Sequence, residues 1–276
     1  MIGIATDSNA QLPAELVDRY GVEVVPLTVT VDGVDHLEGV DLDADAFYRA
    51  FESGTPRVTT SQPSPGRFEA AYRRLAEAGA DEVLAVLIGS AVSGTVNSAR
   101  LAATASPVSV RVVDSGTASF GVGCCVWEAG EALRAGASLE EAAAVAEALA
   151  PRIGNVFVVG ALDLVRAGGR LAAGLEAGAG VPVLSLVEGE VRPVGAAADL
   201  ATAAAVMAER VRAAGEGLRV AVGAADAAAA PLWQALEAAL AGAPEVAEVV
   251  RYRVGPSVGA HTGPGTAGAF FYPTAR

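Results

Sequence analysis

The feature that most constrains this chain is a strand–helix–strand run in its first half. Residues 83–88 are continuously apolar and rich in Val, Leu and Ile, as in a strand covered on both faces. Residues 93–103 keep helical spacing, and residues 108–113 form the next apolar segment. Two strands joined by a crossover of this length are parallel, and the connection is right-handed. An α/β sheet follows, and in such a sheet ligands bind outside the carboxyl ends of the strands.

The remaining pattern extends this frame. Residues 2–6 read as a strand and 13–20 as a helix opened by Pro13. Residues 22–31 are β-rich and end at the hairpin signal Asp32-Gly33. Residues 43–52 and 68–78 read as helices, with a polar loop over 59–66 between them. Ala-rich helices follow over 119–134 and 139–149. Pro151-Arg152 marks a boundary between residues 1–150 and residues 151–276. The second part reads as a strand (156–159), a short helix (162–167), a hairpin (182–193), a helix (200–213), a further strand–helix–strand unit (219–254) and a closing strand (269–272).

Composition removes several functions. Among 276 residues there is no lysine; all 19 basic residues are arginine. Schiff-base chemistry, the pyridoxal phosphate anchor and the Walker A lysine are therefore excluded. The net charge of −13 makes nucleic acid a poor partner. The only cysteines, Cys124 and Cys125, are adjacent, which suits neither a zinc hook nor a disulfide framework, so no metal is expected. No signal-peptide pattern and no long uncharged apolar run is read. The expectation is a cytoplasmic protein without stable membrane insertion.

Two motifs mislead. Gly263-Pro264-Gly265-Thr266-Ala267-Gly268 matches the dinucleotide fingerprint in letters, yet too little chain follows for the helix and strand it requires. Gly255-Pro256-Ser257-Val258-Gly259 matches a nucleophile elbow. An elbow needs a helix straight after the serine, and residues after Ser257 read as a glycine-rich loop; no Asp or Glu follows Ser257 either.

Three hydroxyl-rich stretches remain: Asp7-Ser8, Thr59 to Gly66, and Ser90 to Thr95. Each can be an ordinary turn or helix cap, as can Asp114. Taken as a site, the Ser93-Gly94-Thr95 turn opens a helix, where amide groups favour an anion. Without lysine, that anion would be held by hydroxyls, amides, Arg or His261, which suits a carboxylate better than a polyphosphate.

These stretches carry a resemblance to a known family. Asp7-Ser8-Asn9-Ala10-Gln11-Leu12-Pro13, Thr60-Ser61-Gln62-Pro63-Ser64-Pro65-Gly66, Ser93-Gly94-Thr95 with Ser98-Ala99, Val113-Asp114-Ser115, Gly168-Gly169-Arg170 and His261-Thr262-Gly263-Pro264-Gly265 together resemble, in order, the motifs of the DegV family. The resemblance implies fatty-acid-binding proteins that serve as the lipid-carrying subunit of bacterial fatty acid kinase. It implies a three-layer α/β/α N-terminal domain with a parallel sheet, and a two-layer α/β C-terminal domain with a mixed sheet. One long-chain fatty acid would be the ligand, its carboxylate at the surface between the domains and its tail buried. Ser61, Ser93, Gly94, Thr95, His261 and Thr262 would hold the carboxylate, and Arg170 would face the kinase or its phosphates. The kinase would make the acyl phosphate used in phospholipid metabolism. This chain would supply no catalysis and no cofactor. A small-molecule hydrolase using Ser93 or Ser61 with His261, and a lipid carrier without a kinase, remain as alternatives.

One departure stands out. Family members usually carry a basic run after the hairpin. Here the segment is Gly195-Ala196-Ala197-Ala198-Asp199-Leu200-Ala201-Thr202, with no basic residue between Arg192 and Arg210.

Overall fold

A computed structural model describes residues 1–167 and 180–274. In chain order the elements are β1 (Ile2–Asp7), α1 (Ala14–Tyr20), β2 (Val22–Val25), β3 (Thr28–Val31), β4 (Val34–Leu37), α2 (Ala44–Arg49), β5 (Val58–Ser61), α3 (Pro65–Glu77), β6 (Glu82–Leu87), α4 (Thr95–Ala103), β7 (Ser109–Asp114), α5 (Phe120–Arg134) and α6 (Leu139–Leu149). They continue with β8 (Gly154–Val158), α7 (Leu162–Ala167), β9 (Val181–Val187), β10 (Glu190–Ala197), α8 (Leu200–Arg212), β11 (Leu218–Ala224), α9 (Ala230–Leu240), β12 (Val246–Arg253), α10 (Pro256–Thr262) and β13 (Ala267–Pro273).

Two compact units result. The first comprises Met1–Leu42 and Arg57–Arg152; the second comprises Asp43–Pro56 and Ile153–Arg276. The first unit is built on a parallel sheet in the order β2-β1-β6-β7. Strand period two sends Ala5, Val83, Ala85 and Leu87 to one face, where they pack with Phe68, Ala71 and Tyr72 of α3 and Val96 and Ala99 of α4. Helices α5 and α6 pack against β1, β6 and β7 and make the third layer. A small antiparallel sheet, β4-β3-β5, adjoins in the chain, with Asp32-Gly33 as its hairpin turn. Both turn residues have positive φ, at 49° and 85°, as a type I′ turn needs.

The second unit is a mixed sheet in the order β10-β9-β8-β13-β11-β12. Among the described strands of this sheet, β11 and β12 pair in parallel and the other pairs are antiparallel. Helices α8 and α9 cover one face, burying Met207, Val211, Leu232, Leu236 and Leu240 on Val220, Val222, Ala269 and Phe271.

Two local readings of the sequence are corrected. The polar loop 59–66 is not a loop at its start, because Val58–Ser61 forms a strand against β3. The glycine-rich loop after Gly255 contains α10, entered through Pro256. Asp199 caps α8: its carboxylate accepts from Thr202 N at 2.8 Å, and Thr202 Oγ1 accepts from Asp199 N at 3.2 Å. The segment Asp43–Pro56 packs with the second unit although it lies in the first half of the chain. Tyr48 Oη donates to Val254 O at 3.0 Å, and Arg253 pairs with Asp45 at 2.6 Å.

Candidate functional site

The carboxyl ends of β1, β6 and β7 lie side by side in the parallel sheet, and each ends in or beside a polar loop. Asp7, the last residue of β1, is fully buried. Its Oδ1 accepts from Asn9 N at 3.0 Å and its Oδ2 from Ile88 N at 2.8 Å, so it fastens the exit of β6 to the exit of β1. Burial pushes its carboxyl up to about 7, against the pull of those two amides, and Glu38 adds to the rise. Asp114, the last residue of β7, accepts from Ser90 N and Gly116 N, each at 3.0 Å. Burial alone would raise Asp114, but the bonds from Ser90 and Gly116 and the charge of Arg100 hold it below the usual carboxylate range. Two aspartates therefore grip amides on either side of Gly89 and fix the start of the loop that carries Ser93.

That loop closes on itself. Ser93 N donates to Gly89 O at 3.1 Å, and Ser93 Oγ lies 2.8 Å from Thr95 Oγ1 and accepts from Thr95 N at 3.3 Å. Gly94 stands at the N-cap of α4, and Thr95 is its buried first residue. A Cβ on Gly94 would overlap the Gln62 carboxamide, so glycine lets Gln62 lie directly over the turn. Gln62 Nε2 in turn donates to Ser98 Oγ at 3.4 Å. Ser61 is exposed at the end of β5, opposite Thr28 of β3.

Within the first unit, Ser93, Gly94 and Thr95 share one turn, and Gln62, which follows Ser61 in the chain, packs over it. His261 and Thr262 belong to the second unit, in the last turn of α10. Thr262 Oγ1 donates to Val258 O at 3.3 Å, and Thr262 O accepts from Thr266 Oγ1 at 3.0 Å. Arg170, with Gly168 and Gly169, lies outside the described residues. Ser257 is buried within α10. A helix does follow that serine, so the elbow fails on the missing downstream acid and not on the missing helix. The fingerprint segment runs from a helix into β13, the reverse of the strand-to-helix order a dinucleotide needs.

One participant carried no signal in the sequence. Glu38 accepts a short bond from Ser8 Oγ, whose oxygen also accepts from Leu27 N at 3.0 Å. No spacing rule links positions 8 and 38. Both cysteines are buried and free on α5, and burial pushes their thiols up, Cys125 to about 12. Among the described residues no group of three or more His, Cys, Asp and Glu could hold a metal ion, and no helix is long and apolar enough to cross a membrane.

These features define a two-unit α/β protein with a hydroxyl-bearing loop cluster at the carboxyl edge of a parallel sheet. A family profile described as "Uncharacterised protein, DegV family" matches residues 1–274. The chain belongs to the DegV family. A DegV domain-containing protein of Streptomyces coelicolor is 36% identical over 275 residues, covering 97% of this chain and 96% of that protein. The structure of a DegV family protein from Thermus thermophilus, reported for its fatty acid binding, is 36% identical, covers 99% of both chains and superposes with a TM-score of 0.87. A DegV lipid-binding protein from Thermotoga maritima is 27% identical, covers 100% of this chain and 99% of its own, and gives a TM-score of 0.88.

Proposed function

We propose that this protein binds one long-chain fatty acid and presents its carboxylate to a partner kinase for acyl phosphate formation. The observation that supports the reading is the packing of Gln62, the residue after Ser61, over the Ser93-Gly94-Thr95 turn, in a fold shared at 36% identity with a fatty-acid-binding protein. Hydroxyls and amides at a helix start suit a singly charged head group. In the proposed complex Ser61, Ser93, Gly94 and Thr95 hold the carboxylate, and His261 and Thr262 are further head-group residues. The tail dominates affinity: about 14 methylenes at ~0.8 kcal/mol each give ~11 kcal/mol as an upper bound, before ordering costs. The head group sets orientation. The chain itself supplies no catalysis in this reading. Ser93 Oγ is bonded to the Thr95 hydroxyl, which is no general base, and this favours binding over hydrolysis.

Docking of the kinase is the weaker half for this chain. Residues 195–202 carry no basic side chain, and Asp199 is spent on capping α8. Charge pairs mainly set association rate and partner choice. Protein loaded with palmitate is therefore expected to couple poorly to a kinase from a relative that carries the basic run, and well to its own kinase. In the productive pair, Ser93→Ala is expected to cut acyl phosphate formation about tenfold or more while lowering palmitate affinity only a few-fold. Acyl phosphate formation by Ser93→Ala at the unaltered rate would remove Ser93 from the head-group site.

A further inference from the structure

Arg67 lies in the first turn of α3, half-buried. Its Nη1 donates to Thr28 Oγ1 at 3.0 Å and to Pro26 O at 3.4 Å. Thr28 is the register partner of Ser61 across β3 and β5. Directly opposed residues of an antiparallel pair point to the same face, with Cβ atoms ~4.5–5.5 Å apart. The guanidinium is therefore fixed on the face that carries Ser61. Gln62, the next residue in the chain, covers the Ser93–Thr95 turn, so the residue whose face Arg67 shares is the chain neighbour of the one that packs on that turn.

Both of its hydrogen-bond partners are neutral. Arg74, Arg111, Arg212, Arg251 and Arg253 are each paired with a carboxylate, whereas Arg67, like Arg49 and Arg73, is in no ion pair among the described residues, although the chain carries 32 Asp and Glu. A guanidinium has five N–H donors in a planar fork, and among the described residues its bonds all come from Nη1. Nε and Nη2 remain for a ligand. Hydroxyls and amides can orient a carboxylate, but they cannot neutralise it; a guanidinium does both, and its planar fork matches the two carboxylate oxygens.

We propose that Arg67 is the ion partner of the ligand carboxylate and sets the preference for an acid over a neutral lipid. The proposal rests on the fatty-acid-binding reading above. A competing role is purely structural, with Arg67 only pinning Pro26 and Thr28.

The test uses delipidated full-length protein and two probes with the same tail, palmitic acid and hexadecanol, at pH 8. Arg67→Met is expected to weaken palmitic acid about tenfold and to leave hexadecanol within about twofold. Arg67→Lys, which keeps the charge and loses the fork, should fall between. Equal weakening of both probes, or no weakening of either, overturns the role of Arg67 and leaves the binding reading intact. Equal affinity of the unaltered protein for acid and alcohol also overturns it. Failure of the unaltered protein to bind either probe overturns the fatty-acid-binding reading itself, and Arg67's role with it.

Discussion

Asp7 shows how much one buried carboxyl can do in this fold. Both of its oxygens accept backbone amides, and burial still pushes its pKa up to about 7 from an ordinary 3.8. A carboxyl raised on folding takes up a proton as the chain folds. Its contribution to stability is full below about pH 4, declines as pH rises, and is lost above about 7. Asp114, held low, acts in the opposite sense and only as pH falls toward the ordinary carboxylate range. The two windows do not coincide. Asp7→Asn is neutral throughout, so the decline in stability between pH 4 and 7 should be much shallower in the variant. At pH 5 the variant should also be less stable by ~1–3 kcal/mol, because an amide NH2 then faces a backbone N–H, and that deficit should shrink or reverse by pH 7.5, where the Asp7 carboxyl of the unaltered protein ionises. Urea midpoints at pH 5 and pH 7.5 read both effects, and identical slopes in the two proteins would contradict this account of Asp7. The Asp7-Ser8 pair was legible as a motif. Its dependence on Ile88 and Glu38 was not, because those partners sit 81 residues from Asp7 and 30 from Ser8 in the chain.

At the scale of elements, the strand–helix–strand unit was readable because apolar runs and helical spacing are local. Helix α10 was not, because Gly255, Pro256, Gly259 and Gly263 all argue against a helix when taken singly. Pro256 in fact occupies the first turn, where its missing N–H costs nothing, and Gly263 ends the helix with φ of 75°. Gly259 is set by its neighbours: a Cβ there would lie 2.7 Å from Phe47 Cε1 and against Tyr48 Oη. Those rings pack edge to face at 5.0 Å, and Tyr48 is tied to Val254 O. Gly259→Ala should therefore loosen α2 from α10 and cost ~1–3 kcal/mol through overpacking. Hydrogen exchange should rise in α2 and α10 and leave β6 unchanged. An unaltered melting temperature and exchange pattern would show that the rings yield freely. Strand β5 escaped notice for another reason: Val-Thr-Thr-Ser is short and polar, and only pairing with β3 makes it a strand.

At the scale of the whole molecule, the class of each sheet followed from the sequence, but the membership of Asp43–Pro56 did not. That segment joins the second unit through Tyr48–Val254 and Asp45–Arg253, contacts that span more than 200 positions. The loop cluster around Ser93 was legible because its residues follow strands of a parallel sheet, where the fold itself places ligands. Arg67 was not, since nothing local ties it to Thr28. The most direct test of the central claim is native mass spectrometry of the purified protein, paired with analysis of its organic extract. The account predicts one long-chain fatty acid per chain, removed by delipidation and restored at one equivalent by added palmitate. A folded protein that carries no lipid and takes up no palmitate after delipidation would contradict it.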